Sequence, residues 1–132
     1  MKSSPKVGAI GEVQFTVEKQ YIIGFADEQM PAVLATPWLI WFLERAAREA
    51  IDPCLEPDER TVGTHIDVRH LAPTPPGQRV TCRARVVHSE KTVVSLQVEA
   101  WDEQELIARG MHERRIIRCE RFAKRVQAKT RQ

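Results

Sequence analysis

Cysteine is scarce in this chain and poorly placed for joint work. Cys54, Cys82 and Cys119 are the only three, and no two of them form a CxxC pair. This spacing suggests neither a zinc site nor a disulfide framework, and spare thiols fit a reducing cytoplasm. Long apolar runs are also missing. No stretch approaches the roughly 20 residues needed to span a bilayer. The first residues, MKSSPKVGAIGEVQF, hold no adequate hydrophobic signal core. The expectation is a cytoplasmic protein without a membrane partner. Charge of one sign is not in excess either, since the formal net charge is +2. The chain as a whole is therefore no polycation. No GxGxxG, P-loop, GxSxG or HExxH pattern occurs, so nothing points to nucleotide hydrolysis, a serine hydrolase or a metalloenzyme.

What is present suits one compact domain. The 132 residues are 42% hydrophobic and 29% charged, enough to bury a core. A single domain is expected over 1–132, with its core at about 8–126 and a basic tail at 127–132. From Arg114 onward, Arg115, Arg118, Arg121, Lys124, Arg125, Lys129 and Arg131 face only Glu120. A solvated C-terminus is the plain reading, and no nucleic-acid partner is expected.

The residues 11–18 alternate, with Val13, Phe15 and Val17 on one side, and read as a strand. In Ala35-Thr36-Pro37-Trp38, Thr36 suits a helix N-cap and Pro37 the first helical position. The helix should run to about Ile51 and stop at Pro53. Trp38, Leu39, Ile40, Trp41, Phe42, Leu43, Ala46, Ala47, Ala50 and Ile51 cover nearly its whole circumference, the mark of a buried helix. Residues 61–71, 78–88, 92–101 and 106–122 read as strands, the last bent or bulged near Gly110. APTPPG, at 72–77, is a turn. The simplest packing is an α+β arrangement: one antiparallel sheet curled around a long central helix, which is the hot-dog fold. Such a sheet covers only part of the helix, so a homodimer is expected to complete the burial.

Three polar residues sit where chemistry is conceivable. Glu44 lies amid apolar neighbours mid-helix, where a carboxylate is costly without a partner. It reads equally well as an i,i+4 partner of Arg48 or as a cleft base or nucleophile. Alternation puts Val62, Thr64, Ile66, Val68 and His70 on the inner face of the second strand, and Gly63 and His65 on the outer one. An inward His70 is more often a satisfied core residue than a catalyst. His88 and His112 have weaker contexts. Thr36 caps the helix, or else joins the helix-end N–H groups in binding an oxyanion. Thr36 and Glu44 are roughly 12 Å apart along one helix. If both touch one carbonyl, the site either combines two subunits or folds back over the helix.

The chain resembles the fluoroacetyl-coenzyme A thioesterase-like family of hot-dog proteins. The resemblance runs from about Gly8 to Val126 and is carried by VLATPWLIWFLERAA, LEPDERTVGTHIDVRHLAPTPPG and GMHERRIIRCERF. It implies hydrolysis of an acyl-CoA thioester, with Thr36, Glu44 and His70 as the active-site residues and Gly63 beside the acyl group. The fluoroacetyl-specific enzyme has an aromatic lid residue where this chain has Met30, which implies tolerance of other short or medium acyl groups. Arg114, Arg118 and Arg121 are candidates, on charge alone, for the coenzyme A phosphates. No metal or redox cofactor is expected. The homodimer can pair further into a dimer of dimers. The rivals are a noncatalytic acyl-CoA-binding module and a hot-dog hydratase or dehydratase.

Overall fold

The computed structural model describes residues 1–130, so Arg131 and Gln132 of the basic tail lie outside the described residues. Among the described residues five strands and two α-helices follow in the order β1 (Ile10–Thr16), α1 (Thr36–Ile51), β2 (Glu59–His70), β3 (Arg79–Glu90), β4 (Val93–Trp101), β5 (Leu106–Arg118) and α2 (Cys119–Thr130). The strands form one antiparallel sheet in the order β1-β3-β4-β5-β2. The expected hot-dog architecture is borne out: the sheet packs its inner face on α1. Among the described residues no helix is long and apolar enough to cross a membrane.

Period-two patterning builds the core. Val80, Cys82, Ala84 and Val86 of β3 and Val94, Leu96, Val98 and Ala100 of β4 are fully buried. They meet Leu39, Leu43, Ala46, Ala47 and Ile51 of α1, which are buried as completely. Burial pushes the Cys82 thiol up to about 12, so it is an inert apolar filler.

The helix is less enclosed than its composition suggests. Trp38, Trp41 and Arg45 are exposed, and Ile40, Glu44 and Arg48 line the boundary of the covered face. One sheet of five strands cannot wrap a helix completely. The uncovered arc adjoins β2, an edge strand that among the described residues has no neighbour on its outer side.

Small residues let α1 approach β1 and β3 closely. A β-carbon on Gly11 would collide with the Ala46 carbonyl oxygen and the Ala50 backbone nitrogen. Neither atom can swing aside as a side chain does. Gly11→Ala should therefore destabilise the fold by about 3 kcal/mol or more, read as a lowered urea midpoint. Gly24→Ala, with open space around it, should stay within about 0.5 kcal/mol of the parent. Equal midpoints for the two variants would show that β1 and α1 separate at no cost.

Three local expectations need correction. The last strand stops at Arg118, and residues 119–130 are helical instead of continuing the strand to 122 or trailing as a tail. Ala123, Lys124, Gln127 and Ala128 are good helix formers, and Glu120 pairs with Lys124 at i,i+4. No bulge occurs at Gly110, which pairs regularly with Val68 and Val98. Its missing side chain instead makes room for the Asp67 carbonyl. The expected irregularity of β5 falls nearby, at Ile107, between the pairs Ala100–Ala108 and Trp101–Leu106, and β2 has another at Thr64.

Candidate active site

The start of α1 is held from outside. Ala35 N–H donates to the Tyr21 carbonyl at 2.8 Å, and Leu34 N–H to the Thr74 carbonyl at 2.9 Å. Tyr21 itself packs on Trp38 and Phe42, with ring centroids 4.8 and 5.2 Å away. The cap residue is Ala35, not Thr36, and Thr36 makes no capping bond. Its hydroxyl is directed elsewhere: Thr36 Oγ1 lies 2.8 Å from His70 Nδ1. Trp38 and Leu39 N–H groups both donate to the Ala35 carbonyl, and Pro37 has none. The helix end therefore offers the Thr36 N–H rather than a set of free donors. His70 Nε2 is buried and, among the described residues, has no hydrogen-bond partner. Burial lowers the His70 pKa, opposed by the Ala72 backbone, which favours a neutral ring.

A second cluster forms two helical turns further along. Glu44 is one-third exposed and opens into a cleft of about 280 Å³ walled by Ile40, Gly63, Thr64, Ile66 and His112. Its Oε2 accepts a hydrogen bond from Arg114 Nη1 at 3.1 Å and lies 3.9 Å from His112 Nε2. Arg48, the partner anticipated from spacing, is not its ion-pair partner among the described residues.

Gly63 faces this cluster, against the expectation that it points outward. The bulge at Thr64 inserts one residue, so the strand's inner row runs Thr61, Gly63, then Ile66, Val68 and His70. The expected inner row is right from Ile66 to His70, but before the bulge the phase is reversed, with Gly63 inward and Val62 outward. A β-carbon on Gly63 would stand 2.6 Å from Glu44 Oε2 and 3.2 Å from His112 Cε1. Glycine is what lets the carboxylate lie against the strand.

The matching family model covers residues 17–120 and is described as the fluoroacetyl-CoA-specific thioesterase, FlK. A fluoroacetyl-CoA thioesterase of Streptantibioticus cattleyicolor is 40% identical over 102 residues, which is 77% of this chain and 73% of that one. The chain belongs to the FlK thioesterase family. A solved structure of FlK superposes with a TM-score of 0.89 at 33% identity, covering 98% of this chain and 100% of the other. A threonine-to-serine variant of FlK in complex with acetyl-CoA superposes at 0.88 and 34% identity, covering 96% and 99%. The thioesterase reading of the sequence is borne out at the level of the family.

Within this FlK-family chain, the sequence candidates fall into two groups. Thr36 and His70 meet; Glu44, Gly63 and Arg114 meet; the groups occupy different stretches of α1 and β2. Met30 belongs to neither. It sits 37% exposed in a tight loop, where Asp27 Oδ1 accepts the N–H groups of Gln29 and Met30 at 2.9 and 2.8 Å. Arg114 is no surface cation for phosphates. It is 3% exposed, and its Nε and Nη2 donate to Thr61 Oγ1 and the Thr61 carbonyl, each at 2.8 Å. Burial lowers its pKa and Glu44 opposes the shift. Arg118 and Arg121 remain exposed.

His112 is the residue that sequence reasoning undervalued. It is 2% exposed. Its Nδ1 lies 2.8 Å from the His65 carbonyl, and its Nε2 lies 3.2 Å from Arg114 Nη1. A signal was available. Ala108, Gly110, His112, Arg114 and Ile116 alternate along one face of β5, so an inward polar pair could be read there as it was for His70.

Proposed function

We propose that this protein hydrolyses acyl-coenzyme A thioesters to the free acid and coenzyme A, at sites shared between two copies of the chain. The observation that carries the reading is the separation of two complementary half-sites on one protomer. One is Thr36 with His70. The other is Glu44 laid against Gly63. Gly63 and His70 are seven residues apart on β2, hence about 20 Å. Among the described residues the outer edge of β2 is unpaired, and Ile66 of that strand and Trp41 of α1 are 40% and 51% exposed. An antiparallel partner strand centred on Ile66 and Asp67 would set His70 opposite the partner's Gly63. Thr36 and His70 would then face the partner's Glu44 across one thioester.

In that arrangement the Thr36 N–H and hydroxyl polarise the thioester carbonyl and stabilise its developing oxyanion. Glu44 acts as general base on water or as a transient nucleophile. His70, whose Nε2 is unengaged, orients the reacting groups and assists departure of the thiolate. Labelled solvent oxygen separates the two roles of Glu44. Incorporation only into product in a single turnover marks the base, and label in Glu44 marks the nucleophile. No metal or redox cofactor enters this chemistry. Free thiols at Cys54, Cys82 and Cys119 fit the cytoplasm as its compartment.

A methionine at the lid position is flexible, so the acyl group is short or medium and not restricted to fluoroacetyl. The test is thiol release from a panel of acyl-CoAs that includes acetyl-, fluoroacetyl-, butyryl- and hexanoyl-CoA. Catalytic release, with kcat/KM of about 10⁴ M⁻¹s⁻¹ or more for at least one member, is expected. Saturable binding without release from any member would replace the enzyme by an acyl-CoA-binding module.

A further inference from the structure

Arg114 is held on three sides, and His112 supplies the side nearest the chemistry. Its role follows from which atoms can donate. The His65 carbonyl only accepts, so the His112 nitrogen 2.8 Å from it, Nδ1, carries a proton. The Arg114 guanidinium only donates, so His112 Nε2, 3.2 Å from Nη1, is a bare lone pair. The two neighbours independently demand the same neutral tautomer. Burial, the largest influence on this ring, also favours the neutral form by lowering its pKa. Nη1 carries two protons. One points to His112 Nε2 and the other to Glu44 Oε2 at 3.1 Å. Nε and Nη2 are occupied by Thr61. Among the described residues, Glu44 Oε1 accepts no hydrogen bond, and because Glu44 lines the cleft it is the oxygen left for water or substrate.

We propose that His112 is a positioning residue for the hydrolysis. By taking one Nη1 proton it aims the other at Glu44 Oε2, and so reserves Oε1 for the reaction. It acts through Arg114 and does not touch the thioester. The same ring ties the site to the β2 bulge, because the carbonyl it binds belongs to His65, one residue beyond Thr64. A protonated His112 would present an N–H to Glu44, 3.9 Å away, and displace Arg114 from it. The inference rests on the thioesterase reading for the reaction it serves, but not for the geometry.

The test has two parts. Long-range proton–nitrogen spectra of the histidine-labelled protein at pH 7 should show His112 protonated at Nδ1 and bare at Nε2. In thiol release, His112→Phe should lower kcat about 10- to 100-fold, the scale of a misplaced catalytic group, with KM within about threefold of the parent. His112→Gln, whose side-chain oxygen can accept from Arg114 where Nε2 did, should recover at least about half of that loss on a logarithmic scale. Proton occupancy at Nε2 would overturn the proposal, as would a parental kcat in His112→Phe or equal losses in the two variants. A raised KM with unchanged kcat would also overturn it, by making His112 a substrate contact. If His112→Phe does not fold, the spectrum and the glutamine variant decide. Absence of turnover in the parent protein defeats the thioesterase reading alone, while the nitrogen spectrum still tests the held tautomer.

Discussion

Glu44→Gln will yield a folded protein whose kcat on its best acyl-CoA is about 10²- to 10⁴-fold below the parent, the range of general acid–base catalysis. Glutamine is the informative replacement because its side-chain oxygen still accepts from Arg114 Nη1. It keeps the shape of the contact at Gly63 and removes the negative charge, and with it the basicity. Alanine is harsher. It takes the acceptor as well as the counter-charge from a guanidinium that is 3% exposed, and leaving a buried charge without either is costly. A lowered melting temperature should therefore accompany Glu44→Ala more than Glu44→Gln. Binding of a nonhydrolysable acyl-CoA analogue should survive in the glutamine variant, since the cleft walls from Ile40 to Ile66 are untouched. A kcat within about threefold of the parent would reduce Glu44 to the counter-ion of Arg114 and move the base elsewhere.

Much of this architecture was legible because it rests on local periodicity. The Thr-Pro step, the apolar helix to Ile51 and the stop at Pro53 place α1 to within one residue. The alternating β3 and β4 follow from the same rule. Legibility fails where one residue changes the phase. The extra residue at Thr64 flips the inner row of β2, and the one hint in TVGTHIDVRH is Gly63, since a glycine inside a strand often marks a bulge. Pattern alone therefore put Gly63 on the wrong face, whereas family resemblance had implied a position beside the acyl group.

Legibility also fails where partners are distant in the chain. Glu44 and Arg114 are separated by 70 residues, and Thr36 and His70 by 34. Nearby Arg48 thus looked the better partner for Glu44, and an N-cap the better use of Thr36. The final helix was missed because IIRCERF satisfies a strand pattern as well as a helical one. The segment leaves the sheet only where its last strand partner, Glu59, runs out.

Two inactive variants will restore activity when their subunits are exchanged, if the site is shared as proposed. Thr36→Ala carries an intact Glu44, and Glu44→Gln carries an intact Thr36 and His70. In a mixed dimer, one site receives both defects and the other receives neither. Random exchange of equal amounts makes half the dimers mixed, so the expected recovery is about one quarter of parental activity. Against losses of about 10²-fold or more in each variant alone, that is a rise of at least about 25-fold. The experiment needs only mild denaturation, joint refolding and thiol release, with each variant refolded alone as the control. A site complete within one chain predicts no rise at all, because every protomer in the mixture would keep its own defect. That outcome would require Glu44 and His70 to serve a substrate lying along α1, across the two turns that separate Thr36 from the carboxylate. The unpaired edge of β2 and the exposed Trp41 would then need a different partner.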